Sequence, residues 1–282
     1  MDHPLLAPGI DGHTHTSFCP HGDRQPTRRY LERAVECDLP RLAITEHLPL
    51  PDGFHDPMGP FQCAMPPADL LPYLDEAEQL RAEFADHLEV LVGAEVDWLG
   101  SAQGGWHEAT LAQLDSIWDR LAPEATLLSV HFIGGTIVDG NPDLSLAYAP
   151  GEPPDAYHLA YYDALDAALR ASWTVGRRDL RPRRIGHLTL PRKFIRALPL
   201  AEPERVEERV LRLLERIAAE GLQLDYNTAG LDKEQCGETY LPAPYLQHAL
   251  DLGIELVHGS DAHAPERVGN HRDVVAQTLR DA

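Results

Sequence analysis

The chain has 282 residues, 43% of them hydrophobic and 24% charged, a composition that fits a globular protein with a real core and excludes disordered and fibrous classes. Asp and Glu outnumber Lys and Arg by 45 to 24, and the resulting formal charge of −21 repels a phosphate backbone, so a nucleic-acid binder is disfavoured. No apolar run approaches the ~20 residues that span a bilayer, and the opening MDHPLLAPGIDG lacks the basic start and long apolar stretch of a signal peptide, which predicts a cytoplasmic protein.

Along the chain, short β-type apolar runs alternate with helical periods. The expected strands are Gly9–His15, Arg41–His47, Leu88–Val96, Leu127–Phe132, Arg184–Leu188, Leu222–Asn227 and Ile254–Ser260, seven in all. Between them the pattern predicts helices over Pro26–Cys37, Ala68–Phe84, Glu108–Leu121, Asp155–Ala171 and Pro203–Glu220. The last carries Val206, Val210, Leu213, Leu214 and Ile217 at helical spacing and meets a stop signal at Gly221. This alternation predicts an α/β fold with a parallel sheet. No linker, repeat or composition break divides the chain, so residues 1–282 are expected to form one domain. Two stretches rich in Pro and Gly, Leu48–Pro67 and Val138–Pro154, follow the second and fourth strands and read as lids or loosely ordered surface at the C-terminal rim.

Four cysteines (Cys19, Cys37, Cys63 and Cys236) form no C-x-x-C pair, so neither a zinc knuckle nor a disulfide framework is visible, in keeping with a reducing compartment. Histidine is the unusual residue, with 15 in the chain. The first strand ends in Asp11-Gly12-His13-Thr14-His15, and side chains alternate with period two along a strand, so both imidazoles aim at one face. The other strands end in Thr45-Glu46-His47, Gly93-Ala94-Glu95, Ser129-Val130-His131, Ile185-Gly186-His187 and Ser260-Asp261-Ala262-His263, and His21 lies on the loop just after the first. A lone histidine at a strand end is ordinarily a solvent-bonded residue. Titratable groups gathered at the same end of six strands are another matter, because burying them without cations would cost several kcal/mol each. Seven imidazoles and two carboxylates exceed what one tetrahedral ion needs and suit two or three divalent ions sharing a bridging carboxylate. The remaining histidines (His3, His55, His87, His107, His158, His248, His258 and His271) read as surface or loop residues, with His55, in the first lid, a candidate substrate contact.

The segments DGHTHTSFCPHG, ITEHLPLP, GAEVDW, SVHFIGG, IGHLTLPRKF, LDYNTAG and GSDAHAPERVG, in this order over nearly the whole chain, resemble the polymerase and histidinol phosphatase (PHP) superfamily. H-x-H and S-D-A-H mark the superfamily. H-L-x-L-P-x-K-F and D-x-N-T-A-G look like its monofunctional histidinol-phosphate phosphatase branch. The resemblance implies a distorted seven-stranded (β/α)7 barrel with a trinuclear metal site at its C-terminal rim. It implies one metal held by His13, His15, Glu95 and Asp261, a second by bridging Glu95 with His131 and His187, and a third by His21, His47 and His263. Imidazole-rich sites with carboxylates accept zinc, iron and manganese alike. The chain stops soon after GSDAHAPERVG, where relatives often continue, which implies a trimmed rim or shorter lid.

A phosphomonoester dianion repels hydroxide, so such a site must neutralise phosphate and make a nucleophile near neutral pH, which bound metal does by lowering a water's pKa from 15.7 to about 7. Glu95 is the bridging catalytic carboxylate in this reading, and Asp261 or His263 protonates the leaving group. Arg192 and Lys193, shortly after the fifth strand, are the candidate phosphate cations. Asp97 or Glu46 suits the cationic amine of L-histidinol phosphate, Asn227 can orient a ligand or the substrate, and Trp98 and Phe54 can pack on the imidazole. A nuclease or nucleotide phosphatase on the same metals is the alternative; it needs a basic track, and no Lys-rich run supplies one. A non-catalytic metal scaffold has no physical need for nine converging ligands.

Overall fold

The computed structural model describes residues 3–100, 105–143 and 150–281; residues 144–149 of the second irregular stretch therefore lie outside the described residues. The architecture is α/β. β1 (Ile10–Thr14), β2 (Arg41–Ile44) and β3 (Glu89–Val92) form one parallel sheet. β4 (Ala94–Asp97), β5 (Thr126–Ser129), β10 (Arg184–Ile185), β11 (Gln223–Asn227) and β12 (Leu256–Gly259) form a second, also parallel, in the order β12-β11-β10-β5-β4. Of the residues in these eight segments, nearly all are buried, as befits parallel strands covered on both faces.

The two sheets meet at Gly93. β3 and β4 are one run of chain that pairs with β2 before this glycine and with β5 after it. A Cβ at Gly93 would lie 1.9 Å from the Ala125 carbonyl oxygen, so only glycine lets the backbones approach this closely. On the opposite side, the His15 N–H donates to Ala262 O (2.9 Å) and the Asp261 N–H to His13 O (2.8 Å), tying the end of β1 to the segment after β12. Arg184, fully buried, donates to Gly12 O and Glu124 O and so links β10 to β1 and to the turn before β5.

The helices are α1 (Thr27–Glu36), α2 (Leu70–Phe84), α3 (Trp106–Ile117), α4 (Pro154–Arg170), α5 (Pro203–Ala219), α6 (Ala243–Asp251) and α7 (Arg272–Asp281). α5 buries Val206, Val210, Leu213, Leu214 and Ile217, the stripe its spacing predicts, and Gly221 takes positive φ just beyond it. One large apolar cluster runs from Tyr30 to Leu279.

Every expected strand is present but shorter than the pattern suggested. Arg184–Leu188 contracts to Arg184–Ile185 because His187 adopts φ 21°, and the chain bends where its side chain turns toward the strand ends. Short hairpins also appear, β6 (Phe132–Ile133) with β7 (Thr136–Ile137) and β8 (Thr174–Val175) with β9 (Arg178–Asp179). The second turns at Gly176-Arg177 and is too polar to show as an apolar run.

Three histidines expected at the surface are instead buried. His107 packs between Trp98 and Trp173 with Nε2 against Ser172 O, His158 lies on the inner face of α4, and His258 bonds Asn270 O. Each occupies an apolar face, where one bonded nitrogen or a neutral ring is tolerated.

Candidate metal centre

Glu95 leaves β4 with its carboxylate 1% exposed and surrounded by imidazoles. Its Oε2 lies 3.1 Å from His47 Nδ1, 3.3 Å from His13 Nε2 and 3.6 Å from His15 Nε2; its Oε1 lies 2.9 Å from His187 Nε2 and 3.7 Å from His131 Nε2. Asp261 approaches from the other side, with Oδ1 3.2 Å from His15 Nε2 and 3.8 Å from His13 Nε2. His263 stacks on His15 at 4.0 Å between ring centres, and its Nε2 is 3.0 Å from His21 Nε2. All nine residues expected as metal ligands thus come together. Their tightest groupings differ from the expected sets: His13 and His15 gather with Asp261, His47 with Glu95 and His131, and His15 and His47 with His263 and Cys19, while His21 and His187 fall outside these three groups.

Three carboxylates hold the rings from behind. Asp225 Oδ2 accepts from His13 Nδ1 (2.7 Å), Glu46 Oε1 from His15 Nδ1 (3.1 Å) and Asp97 Oδ1 from His131 Nδ1 (2.8 Å). Each bond places a proton on Nδ1 and turns Nε2 toward Glu95 or Asp261. Small residues make the room. A Cβ at Gly259 would stand 2.0 Å from Asp225 Oδ1 and 2.8 Å from His13 Cβ, and one at Gly186 would stand 2.2 Å from Ser129 Oγ, which donates to Glu95 Oε1. Asp261 takes φ 54°, a strained conformation for a residue with a side chain, and it does so where its carboxylate must face the cluster.

Electrostatics follow from this packing. Burial works against a charge on Glu95 and Asp261, yet the imidazoles of His13 and its neighbours outweigh it and hold both well below the usual carboxylate range. Burial likewise opposes protonation of the rings. For His15 the carboxylates of Asp261 and Glu46 win and raise its pKa to about 9; for His131, Asp97 and Glu95 raise it to about 10. His47 goes the other way, because burial and the neighbouring rings keep it neutral. Burial pushes the Cys19 thiol well above its ordinary value.

The donor set itself shows whether cations suit it. His13 Nε2, His15 Nε2, both nitrogens of His47 and Glu95 Oε2 are buried with no hydrogen-bond partner among the described residues. Sealed polar atoms of this kind are costly unless something binds them, and imidazole nitrogens converging on carboxylate oxygens are the donors that zinc, iron and manganese take.

A cavity of about 540 Å³ opens beside the cluster. Lys193 lines it, its Nζ donating to Asp139 O (2.7 Å) and Asp139 Oδ2 (2.9 Å); Asp97, Asp232, Lys233, Tyr240 and Arg267 lie in the same wall. Burial would raise the Asp139 pKa, but Lys193 and His131 hold it below the usual range. The other expected substrate contacts are placed differently. Arg192 bonds Glu238 and is not in the cavity wall, and His55 is exposed in the first lid, away from it. Asn227 is buried and donates to Asp225 Oδ2 (2.9 Å) and Asp261 Oδ2 (3.2 Å), so it orients the cluster's carboxylates. Glu46 cannot meet an amine: fully buried, it accepts from His15, His47 N–H and Thr16. Trp98 packs on His107 and Phe54 on Trp106 and Phe132, both in the core or its margin. Sequence reasoning passed over Asp225, Ser129 and Asp139, although Asp225 stands in the LDYNTAG segment two residues before Asn227.

The PHP domain model matches residues 11–229, which include seven of the nine converging residues. The chain belongs to the PHP domain family. A PHP relative, the histidinol-phosphatase of Bacillus subtilis, is 35% identical over 265 residues, covering 92% of this chain and 95% of its own. A Deinococcus radiodurans protein described as a "probable histidinol-phosphatase" is 34% identical over 272 residues, covering 96% of this chain and 92% of that one. The crystal structure of a "putative histidinol phosphatase" from Listeria monocytogenes superposes with a TM-score of 0.84 at 29% identity, covering 94% of this chain and 99% of that one. Among PHP proteins the likeness thus extends beyond the family segment to nearly the full length.

Proposed function

We propose that this PHP protein hydrolyses L-histidinol phosphate to L-histidinol and phosphate in histidine biosynthesis, using two or three divalent ions. The observation that carries the metal dependence is the set of sealed, unpartnered donor atoms on His13, His15, His47 and Glu95. The names of relatives matched over more than nine-tenths of the chain support the substrate. In this reading His13, His15, His21, His47, Glu95, His131, His187, Asp261 and His263 hold the ions. Zinc, iron or manganese, when bound, supplies Lewis acidity toward the phosphate oxygens and acidifies water.

The chain's own residues do the rest. Lys193, held by Asp139 in the cavity wall, binds the phosphate. Asp261, kept ionised by its histidines and bonded through Oδ2 to Asn227, receives the proton of the attacking water and returns it to the departing alkoxide. His263, with Nδ1 3.5 Å from Asp261 Oδ1, steadies that carboxylate. The acidic wall containing Asp97 and Asp232 favours a substrate with a cationic amine.

We further read the whole chain, 1–282, as one domain and the two sheets as one distorted (β/α)7 barrel. The β3–β4 run shared by both sheets, the bonds joining β1 to the segment after β12, and the single large apolar cluster support this. The centre then sits at the C-terminal rim, where barrel enzymes place their sites. No described helix is long and apolar enough to cross a membrane, and the acidic surface is poorly suited to nucleic acid; we place the enzyme in the cytoplasm. Turnover of L-histidinol phosphate, compared with a nucleotide monophosphate and a phosphodiester, tests the proposal. Selective, chelator-sensitive hydrolysis of histidinol phosphate is expected. Preference for the nucleotide or the diester refutes the substrate, and full activity in demonstrably metal-free protein refutes the mechanism.

A further inference from the structure

The first lid is tied to the centre through one ring. Of the nine residues that converge, His21 alone is exposed, and it stands on a loop after β1 rather than at a strand end. An exposed ring on a loop has several rotamers open to it. Asp225, Glu46 and Asp97 stand behind His13, His15 and His131, but no carboxylate bonds His21 among the described residues. A backbone carbonyl of the lid takes that place: Gln62 O accepts from His21 Nδ1 at 3.0 Å. A carbonyl can only accept, so the proton sits on Nδ1, and Nε2 is left to face His263 Nε2, 3.0 Å away.

Gln62 is held in turn by one side chain. The Asp56 carboxylate is buried and accepts four donors from the residues that follow it. The Met58 N–H and the Cys63 S–H reach Oδ1 (2.9 and 3.0 Å), and the N–H groups of Gln62 and Cys63 reach Oδ2 (both 3.0 Å). Burial, together with Asp56 itself, pushes the Cys63 thiol up, so it remains a donor. These bonds close residues 56–63 into a ring of chain that includes Phe61 at φ 55°, a conformation a bulky residue holds only when its surroundings impose it. Phe61 is 53% exposed, so packing of its side chain does not impose it; the bonds to Asp56 on either side do. Met58, Gln62 and Cys63 also line the cavity beside the cluster.

We propose, on the metal-centre reading above, that Asp56 is a positioning residue of the centre: by gathering the first lid into a closed loop it presents the Gln62 carbonyl to His21 and so fixes which nitrogen of that ring faces the ion. The first lid is then a built part of the centre rather than a loose flap. One carboxylate outside the cluster orders both a ligand and a wall that the substrate meets.

Zinc is the probe. Metal-free full-length protein is titrated with Zn²⁺ against a chelator of known affinity, and bound zinc is counted directly. Zinc-loaded protein carrying ¹⁵N-labelled histidine is followed by NMR, which tells a protonated ring nitrogen from a metal-bound one. Wild type is expected to hold His21 protonated on Nδ1, with that proton protected from solvent. Asp56→Asn keeps the size of the side chain but sets an NH₂ against two of the four donors, whichever way the amide turns. It is expected to bind one zinc about 10–100-fold more weakly while keeping the others, and to lose the protection of the Nδ1 proton. Asp52→Asn, which removes an exposed carboxylate from the same lid, is expected to match wild type. A merely structural role for Asp56 would lower the unfolding temperature and leave the zinc affinities and the ring proton unchanged, and that result overturns the assignment. Equal weakening of every zinc overturns it too. So does zinc-loaded wild type in which His21 binds through Nδ1, an arm that requires no variant to fold. Wild-type protein that binds no zinc overturns the metal-centre reading itself, and this assignment with it.

Discussion

Asp225 gives the sharpest test of how the centre is built, because it touches no substrate and, in our reading, no metal. Its Oδ2 accepts three donors: His13 Nδ1 at 2.7 Å, the His187 N–H at 3.2 Å and Asn227 Nδ2 at 2.9 Å. Asp225→Asn keeps the shape and removes the charge. If the amide oxygen replaces Oδ2, the new NH₂ takes the position of Oδ1, which is buried without a partner among the described residues; if it flips, the NH₂ faces three donors. Either way about 1–3 kcal/mol is lost to an unsatisfied polar group, and His13 loses the anion that orients it. Partners of this kind are worth about 10–100-fold in metal affinity, which is about 1.4–2.7 kcal/mol. The assay is competition for Zn²⁺ against a chelator of known affinity, run alongside thermal unfolding of the metal-free protein. Weaker metal binding beyond any loss of apo stability is expected. Asp225→Asn with wild-type affinity would show that the His13 orientation does not depend on this bond and would refute the reasoning.

Glu95→Gln should abolish both turnover and metal retention, since five imidazoles face that carboxylate, whereas Glu46→Gln, acting through His15 alone, should lower activity about 10–100-fold; kinetics with metal analysis will separate them. In metal-free protein His15 and His131 hold protons up to pH about 9 and about 10, so metal must displace them: affinity should rise with pH through neutrality, and calorimetry in buffers of different ionisation heat should detect proton release. His158 is buried, and burial together with Arg192 lowers its pKa to about 3, so below pH 6.5 the unfolded chain takes a proton that the folded one refuses. Stability is therefore lost as pH falls from 6.5 toward 3, by about 2 kcal/mol at pH 5 (1.36 × 1.5), and His158→Gln should flatten the difference between urea midpoints at pH 7 and pH 5. Lys193→Ala should cut kcat/KM about 10²–10³-fold without changing metal content, while Arg192→Ala should act weakly; equal effects would place both cations on the phosphate.

What the sequence discloses about this centre is what period-two geometry can disclose. His13 and His15 share a face because one residue separates them, and Glu95, His131, His187 and Asp261 are visible because each ends an apolar run. The supporting carboxylates are not visible in that way. Asp225 meets His13 across 212 positions of sequence, a pairing fixed by which strands come to face one another. The same holds for the glycines. Gly259 and Gly186 read as ordinary strand residues until the atoms that would collide with a Cβ, Asp225 Oδ1 and Ser129 Oγ, are in place. Strand lengths were overestimated for a related reason: His13 and Glu95 reach the cluster from within β1 and β4, but His187 and Asp261 have left the ladder to do so, as their positive φ records.

Arg192 and Lys193 show where proximity in sequence stops being informative. Both follow β10 by a few residues, and by charge alone the guanidinium is the better phosphate clamp. They lie in the 3₁₀ turn Leu190–Phe194, in which successive side chains point about 120° apart, so neighbours in such a turn cannot serve the same cavity. Arg192 turns to Glu238, and Lys193 turns inward to Asp139. The ammonium that reaches the cavity is thus already paired with an ionised carboxylate, and a phosphate arriving there competes with Asp139 for it. That competition weakens the grip on phosphate alone. It disfavours any small anion that cannot also engage the acidic wall with a cation, which is the charge pattern a zwitterionic aminoalkyl phosphate presents and inorganic phosphate lacks.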